Sequence, residues 1–438
     1  MTYVIAGDCC SDASCVAVCP MNSIHPSPGS AGFGTTDGLF IDPRTCIDCG
    51  ACADICPVGA AKPADQATPV EVELNRSYFA SRPALDALDL DTWEAPSFSS
   101  WTGGPRRVAV VGAGPAGMYA TRELLLRSTA EVTVYDRLPV VGGLARFGVA
   151  PDHPQTKQIV ATFERVIAHP RVGWRPGTEV VAAELEGRYD AVVHAVGSFS
   201  SRRLGIPGEH AAGSCTAGQM VAWYNNRPGA VLPVRLSGPR AVIVGNGNVA
   251  LDLARLLISD SHRLAGLQIP PAVREALATS GITEVVIVGR RGPDAASYSP
   301  SAFQDLLALE GVEVRQSPND LSAHPEPGRR IVLRFDTRPL AWEPGVGLTT
   351  DSGVISAGNL FTAIGFVGQP IDGLPFDEVR GVVPNERGAV VGRPGHFVTG
   401  WIKRGARGGI GANKACAEET IRTLLAAKPS TVLTAAPM

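Results

Sequence analysis

The chain has 438 residues, enough for about three domains at the usual size, and its 45% apolar content with 49 glycines and 35 prolines describes a folded, turn-rich protein rather than a disordered one. Thirty-nine basic against 42 acidic residues leave a net charge of −3, which excludes a broad electrostatic footprint for nucleic acid or an anionic membrane. No apolar run approaches the roughly 20 residues of a membrane span, and the start Met1-Thr2-Tyr3-Val4 carries no basic, then apolar, leader pattern; a cytoplasmic protein is expected.

Residues 1–65 form a first expected domain, short and cysteine-rich. Eight of the ten cysteines fall between Cys9 and Cys56. Without a leader pattern, a cluster this dense points to metal rather than to disulfides. Cys46-Ile-Asp-Cys49-Gly-Ala-Cys52-Ala-Asp-Ile-Cys56-Pro57 is the bacterial ferredoxin run C-x2-C-x2-C-x3-C-P, in which the fourth cysteine serves the other cluster. Cys15-Val-Ala-Val-Cys19-Pro20 repeats its ending. The crossover rule then assigns Cys19, Cys46, Cys49 and Cys52 to one [4Fe–4S] cluster. Cys9, Cys15 and Cys56 make a second set, with Asp12 standing where a cysteine is expected. Three thiolates suit a [3Fe–4S] cluster; Asp12 or Cys10 as a fourth ligand would make a second [4Fe–4S] cluster. Cys9 is preferred to Cys10 on spacing, and Cys215 and Cys416 read as buried apolar residues.

Residues 66–104, with scattered Pro and Ser, read as a linker containing at most one short helix. The texture then changes. Arg107-Val-Ala-Val-Val-Gly112 is an apolar strand running into Gly112-Ala-Gly114-Pro-Ala-Gly117 and a helix, and a second strand ends at Asp136. This is a β-α-β unit whose glycines admit a pyrophosphate at a helix N-terminus, with an acid placed to accept from ribose hydroxyls. An acid there disfavours a 2′-phosphate, so FAD or NAD is expected at this unit. The same grammar returns at Arg240-Ala-Val-Ile-Val-Gly245-Asn246-Gly247-Asn248-Val249, but its second strand runs into Gly289-Arg290-Arg291-Gly292 with no acid. Two guanidiniums at that position suit the 2′-phosphate of NADPH. The expected fold is an α+β ferredoxin module followed by an α/β reductase with two Rossmann-like domains of glutathione-reductase type. The first dinucleotide domain takes residues 105–200 and 355–438; the second, residues 201–354, is inserted within it.

With Gly143-Leu-Ala-Arg-Phe-Gly-Val-Ala-Pro-Asp-His153, Val244-Gly-Asn-Gly-Asn-Val-Ala-Leu-Asp252, Gly289-Arg-Arg-Gly-Pro293 and Gly400-Trp-Ile-Lys-Arg-Gly-Ala-Arg-Gly-Gly-Ile-Gly-Ala-Asn413, the chain resembles the adrenodoxin-reductase-like ferredoxin–NADP+ reductases, in the actinobacterial form fused to an N-terminal ferredoxin. The resemblance implies that Gly112, Gly114, Ala116, Gly117, Asp136, Gly143, Leu144, Trp401, Gly408, Gly409 and Ile410 contact FAD. It implies NADP contacts for Arg202, Gly245 through Val249, Arg290, Arg291 and Gly408, and it sets His153 beside the flavin in a catalytic or positioning role. Two positions that carry glutamate in the family read Ala302 and Asp305, Asp136 replaces its usual glutamate, and only about 25 residues follow Asn413, which suggests a trimmed reductase. The implied activity passes electrons from NADPH through FAD to the attached clusters, to an external ferredoxin or to a monooxygenase. An electron-input subunit resembling the small subunit of glutamate synthase is the alternative, and a non-catalytic redox sensor a third reading.

Overall fold

Runs of β-branched residues closed by glycine build both large sheets of the protein. The structure, a computed structural model, describes residues 2–30, 32, 33, 36, 38–80, 107–316 and 325–427. It divides into two compact units, Met1–Arg146 with Gln155–Phe199 and Val367–Met438, and Phe147–Pro154 with Ser200–Phe366.

The first unit holds a seven-stranded sheet. Val172–Arg175, Glu131–Tyr135, Arg107–Val111, Ala191–His194 and His396–Val398 lie parallel in that order, followed by the antiparallel pair Ala389–Val390 and Asn385–Glu386. The helix Pro115–Arg127 crosses over from the central strand, started by Gly114 as cap and Pro115 in its first turn, where a missing N–H costs nothing. Its buried face carries Met118, Tyr119 and Leu124.

The cysteine-rich segment belongs to this same unit. Tyr3–Ile5 pairs antiparallel with Ala61–Pro63, and Ile24–His25 with Phe40–Ile41; the helices Ser14–Val18 and Ala51–Ile55 complete a small two-fold module. One core runs from Cys10, Ala13, Cys15 and Val16 of the module to Ala113, Met118, Tyr119 and Ile421 of the flanking helices and sheet. A module too small for a core of its own has borrowed one.

Two expected boundaries are corrected by packing. The segment expected as linker, 66–104, opens with the helix Pro69–Ala80, which is part of the module. Asn75 Oδ1 accepts from Ile5 N at 3.1 Å and Ile41 N at 2.9 Å, while its Nδ2 donates to Ile5 O at 2.8 Å, so one amide stitches both strand pairs to the helix. The rest of that segment lies outside the described residues. The second unit extends to Phe366 rather than to 354, because Asn359–Thr362 inserts between Ser214–Thr216 and Arg240–Val244 in a six-stranded parallel sheet continued by Glu284–Val288, Arg329–Arg334 and Val312–Gln316. Phe147–Pro154 also joins this unit, through the ion pair of Asp152 with Arg255.

On the adjacent parallel strands Ala191–His194 and His396–Val398 two buried histidines stack, with His194 Nε2 3.1 Å from His396 Nδ1 and His396 Nε2 3.4 Å from Glu186. A proton on His396 Nε2 faces the carboxylate, which leaves His396 Nδ1 to accept from His194 Nε2–H. Burial, with His396 alongside, pulls the His194 pKa down to about 3. The unfolded chain takes up a proton near the ordinary 6.5 that the fold refuses, so the stabilisation is complete above that pH and lost as pH falls towards 3. Between pH 6.5 and 5 this amounts to about 2 kcal/mol. Urea denaturation of the His194→Gln variant at pH 7 and pH 5 should show a correspondingly flatter pH dependence; an unchanged slope would mean that another group carries it.

Candidate functional site

The first glycine loop is shaped by close backbone approach. Gly112 has φ +109°, and a Cβ there would lie 2.4 Å from Ala195 O; a Cβ on Gly117 would lie 1.8 Å from Gly112 O. Only glycine lets the helix start press onto the strand ends, which leaves its N-terminal amides facing the place a pyrophosphate takes. Gly143 packs on Gly114, with a Cβ at the former 2.8 Å from Gly114 Cα, and brings Leu144 beside the loop in the helix Gly143–Phe147. Gly400 approaches Ala116 so closely that a Cβ would lie 2.6 Å from the alanine methyl, which seats the Trp401 turn on the same helix. Trp401 Nε1 donates to Gly408 O at 3.1 Å, and Asn413 Nδ2 to Gly409 O at 3.0 Å, fixing the start of the helix Ile410–Ala426. The residues expected to hold FAD thus gather around two helix N-termini in one unit. Asp136 has a further duty: its oxygens accept from Ala113 N and Leu138 N, each at 2.7 Å, bracing the glycine loop while second lone pairs stay available to a ribose.

In the second unit Gly245 has φ +116°, and a Cβ there would lie 2.3 Å from Ala363 O. Gly247 caps the helix Asn248–Ile258, and Asn248 Oδ1 accepts from Ser299 N at 2.8 Å. Arg290 and Arg291 follow the strand Glu284–Val288 and are exposed. Arg202, also exposed, anchors its backbone N on Gly365 O at 2.9 Å. Gly408 lies in the first unit. Ala302 is buried in the helix Pro300–Leu307, where its N–H is taken by the Ser299 cap.

His153 Nε2 lies 2.7 Å from Arg255 Nη2. A guanidinium can only donate, so this nitrogen accepts and the imidazole is neutral with its proton on Nδ1. Arg255 is buried and also binds Asp152 and Asp252 at 2.9 and 2.8 Å. The histidine is thereby fixed in orientation by a permanent cation.

The cysteines sort into two pockets. Cys19, Cys46, Cys49 and Cys52 line one with Tyr3, Ile24 and Ile41; Cys9, Cys10, Asp12, Cys15 and Cys56 line the other with Ile5, Leu39 and Val58. Each pocket takes one cysteine from the far run, Cys19 or Cys56. Backbone amides point at the sulfurs: Ser11 N to Cys9 at 3.3 Å, Ser23 N to Cys19 at 3.3 Å and Ala60 N to Cys56 at 3.2 Å. Such donors suit thiolates bound to iron. Burial pushes the Cys9 thiol up to about 11 and Cys52 likewise, so iron must displace protons when it binds. Among the described residues no three His, Cys, Asp or Glu side chains converge on a single-ion site; the thiols line two pockets whose other walls are mostly apolar side chains, and thiolates are the donors an iron–sulfur cluster takes.

Gly411, Lys414 and Tyr119 gave no sign in the sequence of touching the cysteine module, although Gly411 closes the run Gly408-Gly-Ile-Gly. A Cβ on Gly411 would lie 1.5 Å from Ser11 O, and Lys414 Nζ donates to Asp12 O at 2.6 Å and to Ser14 Oγ at 3.3 Å.

Residues 106–400 match the pyridine nucleotide-disulphide oxidoreductase family and residues 8–60 the 4Fe-4S dicluster domain. A probable ferredoxin/ferredoxin–NADP reductase of Mycobacterium bovis is 39% identical over 97% of this chain and 84% of its own length. The NADPH-ferredoxin reductase FprA of Mycobacterium tuberculosis is 38% identical over 73% of this chain and 84% of its own. The solved structure of the M. tuberculosis FprA in complex with NADPH superposes with a TM-score of 0.67 at 36% identity, covering 73% of this chain and 84% of that one. No helix among the described residues is long and apolar enough to cross a membrane. The chain belongs to the pyridine nucleotide-disulphide oxidoreductase family and, over nearly its whole length, to its ferredoxin–NADP reductases with a built-in 4Fe-4S dicluster domain.

Proposed function

We propose that the chain oxidises NADPH and delivers the electrons one at a time to clusters in its own N-terminal module and from there to an external ferredoxin or monooxygenase. The observation that carries this reading is the continuous core joining the Cys10–Val16 segment to the helices of the first glycine unit. FAD, when bound, supplies the exchange between two-electron hydride chemistry and single electrons, and iron–sulfur clusters supply one-electron acceptors. Arg290 and Arg291 grip the 2′-phosphate, and the amides of Asn248 and Val249 receive the pyrophosphate of NADPH. The amides of Ala116 and Gly117 do the same for FAD, while those at Gly409 and Ile410 favour negative charge on its ring. His153, held by Arg255, acts as a positioning residue. The electron-input alternative is disfavoured, because the relatives matched over nearly the full chain carry the reductase name.

Cys19, Cys46, Cys49 and Cys52 hold a [4Fe–4S] cluster in this reading, and Cys9, Cys15 and Cys56 a [3Fe–4S] cluster. Asp12 supports the smaller cluster: its carboxylate already accepts from Ser14 N and Ser14 Oγ and lies 3.8 Å from Lys414 Nζ. Iron analysis should give about seven atoms per chain rather than eight, with an EPR signal from the oxidised protein. Eight irons and an EPR-silent oxidised state would make Cys10 or Asp12 a ligand. For the reaction itself, anaerobic NADPH should bleach the bound flavin and NADH should do so far more slowly; a flavin unchanged by NADPH would leave a redox sensor as the better reading.

A further inference from the structure

The two cysteine pockets are not equivalent towards the flavin unit. The segment between Cys9 and Cys15 is clasped by the helix Ile410–Ala426, whose first residues are those assigned to the flavin ring. Gly411, one residue past Ile410, is in backbone contact with Ser11, and Lys414, one turn on, binds Asp12 O and Ser14 Oγ. Thr156 Oγ1 donates to Asp8 O at 2.9 Å, just ahead of Cys9. At the other pocket Cys49 is exposed, as is the neighbouring Ile47 at 56%.

Resting on the function proposed above, we infer that the Cys9/Cys15/Cys56 site is the obligatory entry point for electrons, locked to the flavin helix by Gly411 and Lys414, and that the Cys19/Cys46/Cys49/Cys52 site is the outlet. One NADPH gives two electrons; NADP+ and one proton are released, and two single electrons reach two one-electron sites. Because tunnelling rates fall steeply with distance, contact at the 9–15 segment decides which site fills first. The exposed Cys49 edge then meets the external acceptor, whose docking needs no opening of the chain.

The test uses the full-length, cofactor-loaded protein and its Lys414→Glu variant, with amide hydrogen exchange read beside freeze-quench EPR. In the variant, deuterium uptake across residues 8–16 should rise while 46–56 stays unchanged. On anaerobic mixing with NADPH the flavin should bleach at the wild-type rate, yet the signal of the oxidised entry cluster should decay, and that of the reduced outlet cluster develop, at least tenfold more slowly, although dithionite reduces both fully. Unchanged uptake at 8–16 would overturn the lock. A loosened 8–16 segment with the outlet cluster filling at the wild-type rate would overturn the order. If Lys414→Glu fails to fold, Lys414→Met removes the charge and keeps the stem, with the same expectations. If NADPH does not bleach the wild-type flavin, the reductase reading fails separately, and photoreduction of the flavin still reports the order of filling.

Discussion

Replacing Arg290 and Arg291 together with alanine should lower kcat/KM for NADPH by about 10²–10³-fold and leave the value for NADH within a factor of a few. Each guanidinium offers a phosphate charge-assisted hydrogen bonds worth about 1.5–3 kcal/mol. Two such contacts sum to several kcal/mol, and because both side chains are exposed, solvent returns part of that gain. The 2′-phosphate lies far from the transferred hydride, so the interaction is the same in ground and transition states; the loss should appear in KM, with kcat preserved. NADH lacks the phosphate and has nothing to lose. Raising ionic strength should weaken NADPH binding in the parent and hardly affect the variant. Dye reduction with both nucleotides across a salt series decides the matter, and equal losses with NADH and NADPH would move the specificity site elsewhere.

The sequence exposed those features that a short run of backbone must satisfy locally. Gly112 and Gly245 are legible because each occupies a left-handed φ against a carbonyl, and the cysteine runs because a cluster imposes fixed spacing. Even the exchange of Cys19 and Cys56 between the two pockets followed from spacing. What stayed hidden depends on partners distant in the chain. Nothing local distinguishes Asn75 from a surface amide, yet it ties two strand pairs together; Asn359–Thr362 reads as the start of another domain until its two strand neighbours are known. Asp336 is invisible for the same reason: it donates its backbone N–H to Arg291 O at 3.3 Å, 45 residues away in sequence, and sets a carboxylate beside Gly292. The docking of the module on Gly411 is the most consequential case. Fusion alone predicts a tethered acceptor at raised local concentration; a shared core makes it a fixed one.

Arg255→Met should be the most destabilising single substitution in the second unit, costing about 3–5 kcal/mol at pH 7. The guanidinium is 1% exposed and binds Asp152 Oδ2 at 2.9 Å, Asp252 Oδ1 at 2.8 Å and His153 Nε2 at 2.7 Å. Methionine fills the volume but leaves two largely buried carboxylates facing each other, with Arg263 at 3.3 Å as a partial counter-charge for Asp152. Burial pushes the Asp152 carboxyl up, and the charge and hydrogen bond of Arg255 more than reverse this, holding it below the ordinary value. The parent therefore keeps this stabilisation above the usual carboxylate range and loses it only as pH falls through the lowered value. In the variant the sign inverts. Without the cation, burial dominates, the carboxyl rises, and its protonation on acidification relieves the unpaired charge, so the deficit against the parent should shrink between pH 7 and pH 5. Adding Asp152→Asn and Asp252→Asn to Arg255→Met should recover part of the lost stability, which a pure packing defect would not allow. Urea denaturation of the three proteins at both pH values separates the two explanations: a deficit that is independent of pH and unrelieved by the asparagines would show that the arginine acts by filling space alone.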